Sequence, residues 1–219
     1  LAAISGGVAT AEELWGWRDL IGRCHLFQAH YRVDSYFQYL EWGRDLDKRF
    51  YLPRRRALGP VVAALQDIFD DNLDILTLST PPGIGKTTTI GFFMSMQMGL
   101  YPERFNLISA HSDKLTYSMF EGVHSVLTDP DYLWADIFPG VQIESKSVKN
   151  ETINLGRPKR FKTLTCRSID GTLTGATRFN NLMIADDLVS GIEEALSIDR
   201  MNKLWEKVTN DLRSRGEGQ

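Results

Sequence analysis

The run Ser79-Thr80-Pro81-Pro82-Gly83-Ile84-Gly85-Lys86-Thr87-Thr88 gathers two glycines, an ammonium and several hydroxyls between a strand-like Leu73 to Leu78 and a helix-like Thr87 to Met98. A nucleoside triphosphate needs inward-pointing backbone N–H groups, an ammonium to bridge its outer phosphates, and a hydroxyl to hold Mg²⁺. Gly83 and Gly85 would let the backbone close around the anion, Lys86 would supply the charge and Thr87 the hydroxyl. The expected nucleotide-binding set is therefore Pro82, Gly83, Ile84, Gly85, Lys86, Thr87 and Thr88, with ATP and Mg²⁺ as cofactors. The usual pattern has a glycine where Thr80 stands, so the strand-loop-helix setting carries this reading against an ordinary β-to-α turn.

A phosphate loop needs an acidic partner, and Asn181-Leu182-Met183-Ile184-Ala185-Asp186-Asp187 offers one. The unbroken apolar run predicts a strand buried on both faces in a parallel sheet, delivering two carboxylates at its C-terminal edge, where open α/β sheets bind ligands. By role, Asp186 would hold Mg²⁺ through water and Asp187 would orient or deprotonate the attacking water. A helix N-terminus is the alternative for the two acids, since Asp is common in caps and first turns. Arg178, standing between Gly175 and this strand, is the third catalytic candidate beside Lys86 and Asp187. It would contact nucleotide in its own subunit or in a neighbour's, and its alternative is an exposed arginine that precedes a strand.

These residues need a scaffold, and the flanking pattern predicts one. Ala11 to Trp17 and Tyr31 to Trp42 read as helices, with Phe27, Tyr31, Tyr36, Phe37, Tyr39 and Trp42 as their packing residues. Arg54 to Asp70 reads as an amphipathic helix whose apolar face holds Leu58, Val61, Val62, Leu65, Ile68 and Phe69. Gly99 and Pro102 stop the helix after the loop, Phe105 to Ala110 forms a strand, and a helix runs from about Ser112 to Leu127. Alternation in Thr152 to Leu155 and in Thr163 to Ile169, around Gly156-Arg157-Pro158, predicts a β-hairpin before the acidic strand.

The segment Asp170-Gly171-Thr172-Leu173-Thr174-Gly175-Ala176-Thr177-Arg178 precedes the acidic strand, and Glu193-Glu194-Ala195-Leu196-Ser197 and a helix through Trp205 follow it. This order, with Tyr51-Leu52-Pro53 and the Pro-Pro of the loop, resembles the ATPase half of the large terminase subunit, the DNA-packaging motor of tailed double-stranded DNA bacteriophages. The resemblance runs from about Tyr51 to the C-terminus and is most specific over Gly171 to Asp187. It implies an α/β fold of the ASCE-type P-loop NTPase class: a mainly parallel central sheet flanked by helices, with residues 1–50 as an N-terminal helical subdomain and 51–219 as the ATPase core. It further implies ATP hydrolysis coupled to movement of double-stranded DNA without regard to sequence, a portal protein and a small terminase subunit as partners, a homo-oligomeric ring on the portal, and the cytoplasm of the bacterial host. The family's coupling strand and nuclease domain would lie beyond Gln219, so the chain reads as a fragment without nuclease activity.

Two departures bear on mechanism. Many terminases carry an arginine at one of the positions held here by Pro82 and Gly83, and many end the acidic strand in Asp-Glu where this chain has Asp186-Asp187. An arginine on the transferring phosphoryl group is worth roughly three to five decades in rate, so turnover should be slow unless another arginine serves. Two other readings remain open: another P-loop enzyme, such as a nucleotide kinase or helicase-like ATPase, and a non-hydrolysing module that binds nucleotide or partner protein. A kinase would need a lid with several arginines after the acidic strand, where the chain offers mainly Arg200, Arg213 and Arg215.

Composition constrains the rest. The 219 residues suffice for one α/β domain with a helical appendage, and the shares of 42% hydrophobic and 24% charged residues are ordinary for a globule. No apolar run approaches a membrane span, and the N-terminus lacks the pattern of a signal peptide. Cys24 and Cys166 lie far apart without metal-ligand spacing, and His25, His30, His111 and His124 form no zinc motif and read as structural or surface residues. The net charge of −3 leaves only local clusters, Arg54-Arg55-Arg56 and Arg157 to Lys162, as candidate DNA-phosphate contacts, and solvated faces are their alternative.

Overall fold

The computed structural model describes residues 11–171 and 178–212 and divides the chain into two units, 1–78 and 79–219. Thr172 to Thr177 of the terminase-like segment and Arg213 to Arg215 lie outside the described residues.

In the first unit, α1 (Ala11–Gln28), α2 (Val33–Leu40) and α3 (Tyr51–Phe69) form a helical bundle. The core consists of Tyr36, Phe37 and Leu40 of α2 against Tyr51, Leu58, Val62 and Leu65 of α3, all buried, with Phe37 and Tyr51 meeting edge to face at 5.1 Å. Of the aromatic residues expected to pack, Phe27 and Tyr31 do not: they are 75% and 63% exposed. The start of α3 has no side-chain cap of its own. Instead, the buried Glu41 accepts the backbone N–H groups of Phe50 and Tyr51 at 2.8 Å each. That bond set ties Tyr51 and its helix to α2, so the compact unit extends to residue 78 instead of ending at 50.

Beside that cap, Asp34 receives Arg55 through two 2.8 Å bonds, Tyr51 Oη–H at 2.5 Å and Gln38 at 2.8 Å. Burial works to raise the Asp34 pKa, but the Arg55, Tyr51 and Gln38 contacts outweigh it and leave the carboxyl below its ordinary value. Burial and Asp34 together raise the Tyr51 phenol. A depressed folded-state pKa contributes stability above the unfolded value, and that stability is lost as pH falls through the folded value. Melting temperature followed from pH 6 down to about pH 3 should therefore fall more steeply for the native chain than for Asp34→Asn. Parallel acid limbs would contradict the assignment.

In the second unit, α4 (Lys86–Leu100) is buried along most of its length from Thr89 to Gly99. At Gly99 a Cβ would sit 2.3 Å from the Phe138 ring, so the close approach requires glycine there. Next come β1 (Asn106–Ala110), α5 (Asp113–Thr128), α6 (Trp134–Ile137), β2 (Ile143–Ser147), β3 (Thr152–Leu155), β4 (Leu164–Ser168) and β5 (Met183–Ala185), and then α7 (Ile192–Ala195) and α8 (Ile198–Glu206). Helix α5 is capped by Ser112 Oγ, which accepts from Leu115 N–H, and it buries Thr116, Met119, Phe120, Val123 and Leu127, the spacing of one helical face.

The sheet order is β2-β3-β4-β1-β5. Strand β1 pairs in parallel with β4 and β5, whereas β3 pairs antiparallel with β2 and β4. The sheet is mixed, not mainly parallel, because the predicted hairpin joins it through β3 and β4 and adds β2, which the sequence reading missed. At the N-terminal ends of the strands, buried Asn106 locks three of them. Its Nδ2 donates to the Thr163 carbonyl, and its Oδ1 accepts from Asn181 Nδ2 and Leu182 N–H.

Two expected strands differ. Leu73 to Leu78 has no regular secondary structure and joins no strand among the described residues, and Ile75 is 71% exposed. Strand β5 lies at the sheet edge, with Met183 and Ile184 half-buried and Ala185 exposed, not buried on both faces. An apolar run marks a strand that could be covered on both faces, but it does not supply the neighbour that covers it.

Candidate nucleotide-binding site

Pro82 to Gly85 turns tightly into α4. Gly83 and Gly85 adopt φ of 79° and 97°, the left-handed region that a side chain disfavours. These are the two glycines that the loop reading required. Helix α4 begins at Lys86, so the loop and the unpaired N–H groups of the first turn form a site of positive potential suited to an anion. Within that turn, Thr89 N–H and Oγ1–H both donate to the Gly85 carbonyl, at 3.0 and 2.9 Å. Thr89 is thus buried in the turn, while Thr87 and Thr88 stay exposed.

The partner acid arrives from the end of β5. Asp186, 4% exposed, pairs through Oδ1 with Lys86 Nζ at 2.7 Å and accepts Thr87 Oγ1–H on Oδ2 at 3.2 Å. Residues about a hundred positions apart in sequence thus meet in one small constellation: an ammonium, a hydroxyl and a buried carboxylate at the mouth of a glycine loop. Thr87 and Asp186 offer two adjacent hard oxygens, and among the described residues no group of three or more His, Cys, Asp or Glu could hold a metal by itself. The donor set fits Mg²⁺, which keeps most of its waters and takes phosphate oxygens, and does not form an all-protein cage.

Asp187 lies one residue on, exposed, with φ of 51°. A left-handed conformation costs a non-glycine residue about 1 kcal/mol or more, and Asp is among the few types that visit it. His111, the first residue past β1, reaches the Asp187 carbonyl twice, through its backbone N–H at 3.2 Å and through Nδ1 at 2.6 Å. From sequence, His111 reads as a structural or surface residue. The available signal was its place immediately after an apolar strand, since residues at that edge face the ligand side of a parallel pair.

Arg178 is placed elsewhere. Its guanidinium lies 5.5 Å from the Phe161 ring centroid, and Phe161 meets Phe105 edge to face. The neighbouring Asn180 exchanges hydrogen bonds with Phe105 just before β1 begins. Arg178 therefore stands at the N-terminal ends of the strands, whereas Lys86, Thr87, Asp186 and Asp187 gather at the C-terminal ends. Within one chain, the fold does not bring it to the loop. The basic run Arg157 to Lys162 occupies that same remote edge: Arg160 lies over Phe161, Arg157 pairs with Glu103 at 3.2 Å, and Lys159 and Thr163 hydrogen-bond each other at 2.8 Å.

Cys166 is buried and Cys24 is exposed, and neither is in a disulfide. No helix among the described residues is long and apolar enough to cross a membrane. No family model matches the chain, and no curated protein matches it.

Proposed function

We propose that this chain is the ATPase module of a viral DNA-packaging motor, with a P-loop NTPase core of the terminase type. The observation that carries the nucleotide half of the reading is the meeting of Lys86, Thr87 and Asp186 at a loop whose two glycines are left-handed. The packaging half is supported by the terminase-like order of motifs around that site.

In this reading the Lys86–Asp186 pair holds the site in balance when no phosphate is present. On ATP entry Lys86 turns to the β- and γ-phosphates, and Asp186 and Thr87 are the residues that would hold Mg²⁺. Bound Mg²⁺ would neutralise charge on the β- and γ-oxygens. Asp187 then orients a water in line with the γ-phosphorus and accepts its proton. The water oxygen forms the new P–O bond, the bond to the bridging oxygen breaks, and ADP leaves with the electron pair. With Pro82 and Gly83 where a loop arginine could stand, the isolated chain turns over slowly.

The wider reading takes double-stranded DNA as the translocated substrate, a portal protein and a small terminase subunit as partners, a ring of copies on the portal, and the host cytoplasm as the setting. The direct test is phosphate release from ATP with and without duplex DNA. The expected result is slow, Mg²⁺-dependent turnover. ATP binding without any release of phosphate, under both conditions, would leave a binding module and contradict the hydrolase.

The position of Arg178 separates its two expected modes of action. Arg178→Ala should leave the ATP affinity of the isolated chain unchanged. It should slow hydrolysis by about tenfold or more, equal to about 1.4 kcal/mol of barrier, only at concentrations where copies associate. Turnover measured across a protein dilution series checks this, and a tenfold loss that persists on dilution would contradict action from a neighbouring subunit.

A further inference from the structure

We propose that His111 is a positioning residue for Asp187: its backbone N–H and its Nδ1–H together clamp the Asp187 carbonyl and hold the left-handed turn from which the Asp187 carboxylate projects. The role given to Asp187 rests on the nucleotide reading above, whereas the clamp rests on geometry alone.

The ladder between β1 and β5 shows what the clamp changes. Leu107 N–H donates to the Leu182 carbonyl, and the Ser109 carbonyl accepts Asp186 N–H at 2.9 Å, as in a regular parallel pair. One further step of the same ladder would carry His111 N–H to the carbonyl of Asp186. It goes instead to the carbonyl of Asp187, at 3.2 Å, because φ of 51° turns that peptide back toward β1. The strand pair thus ends with one extra residue on the β5 side, and the extra residue is the second acid.

A backbone bond alone would make His111 an ordinary strand terminus. The ring adds a second bond to the same oxygen, at 2.6 Å. A carbonyl can only accept, so Nδ1 carries a proton and donates. Two donors converging on one carbonyl offset the cost of the left-handed residue. With the peptide held, the Cα–Cβ direction of Asp187 is set relative to Asp186, whose buried carboxylate is fixed by Lys86 and Thr87. The neighbouring loop is held separately, because Glu194 accepts both the backbone N–H and the hydroxyl of Ser190, at 2.7 and 2.6 Å.

Three variants of the full chain test the proposal. In His111→Asn, the amide nitrogen stands as many bonds from Cβ as Nδ1 does and can donate to the same carbonyl. In His111→Gln, the nitrogen stands one bond further, in the place of Nε2. His111→Ala removes the donor. The expected result is a fall in kcat of about tenfold or more for Ala and for Gln, with ATP affinity within about twofold of the native chain, and recovery of most of kcat in Asn. Long-range ¹⁵N spectra of the native chain should report the Nδ1–H tautomer at neutral pH. Gln recovering as well as Asn, kcat of the Ala variant unchanged, or an Nε2–H ring would each overturn the clamp. If the native chain binds ATP without hydrolysing it, the hydrolase reading fails alone, and the ring tautomer then decides the clamp.

Discussion

Lys86→Ala is expected to weaken ATP-Mg²⁺ binding by at least about tenfold, equal to 1.4 kcal/mol, and to remove measurable turnover. Lys86 carries the only ammonium in the loop and stands at the first position of α4, where its charge adds to that of the helix terminus. Its present partner is Asp186, which is nearly inaccessible, so the substitution also leaves a buried carboxylate without its counter-ion. A loss of stability is therefore expected beside the loss of binding, and the two must be read separately. Calorimetric titration at a temperature where circular dichroism shows the variant folded does so, with Lys86→Arg as the control that retains the charge. An ATP affinity equal to that of the native chain would remove Lys86, and with it the loop, from the nucleotide site.

The second large effect divides the two acids. Asp186 is buried and holds Lys86 and Thr87, whereas Asp187 is exposed and is held through its carbonyl, leaving its carboxylate outside that network. Asp186→Asn keeps the shape but loses the charge that faces the Lys86 ammonium and that would face Mg²⁺. It should impair Mg²⁺-dependent nucleotide binding, and with it turnover. Asp187→Asn should leave ATP-Mg²⁺ bound at close to native affinity and lower kcat by about a hundredfold or more, the usual range for losing a general base. Comparable losses of affinity in both variants would mean that the division of labour is wrong. Affinity and single-turnover rate must be measured on the same preparations, because KM alone does not separate binding from chemistry.

The parts of this site that could be read from sequence were those set by local chemistry. Gly83 and Gly85 were expected to turn the loop because few other residues accept positive φ, and both do so. Helix α4, with Gly99 and Pro102 as its expected stop signals, and the helix after β1, expected from about Ser112 to Leu127, both lie within two residues of the expected bounds. That Asp186 reaches Lys86 and Thr87 followed from an apolar run ending in acids, a signal that survives because a strand delivers its last residue to the sheet edge.

Features set by long-range pairing were not legible. Nothing in Ile143 to Ser147, with its alternating exposure and four polar residues, identified β2, which depends on β3 for its place. Periodicity describes which faces of a strand could be covered and not which strand covers them, so β5 was expected in the interior and is found at the edge. The same limit applies to Leu73 to Leu78, apolar enough for a strand yet without a ladder partner among the described residues. Arg178 looked close to Asp186 because few residues separate them, but an extended chain advances about 3.3 Å per residue, and β5 carries the two to opposite ends of the sheet. His111 was missed for the converse reason: it lies far from Asp187 in sequence and adjacent to it through the β1–β5 register.

The central claim is that the Gly83 to Thr88 loop and Asp186 form a triphosphate site, and calorimetric titration of the native chain with ATP-Mg²⁺, beside AMP under the same conditions, tests it most directly. The two ligands share adenosine and differ in the outer phosphates that Lys86, Thr87 and Asp186 are assigned to hold. The account predicts saturable one-to-one binding of ATP that weakens when Mg²⁺ is chelated, and no measurable heat from AMP. Equal binding of AMP and ATP, or no binding of either, would contradict it.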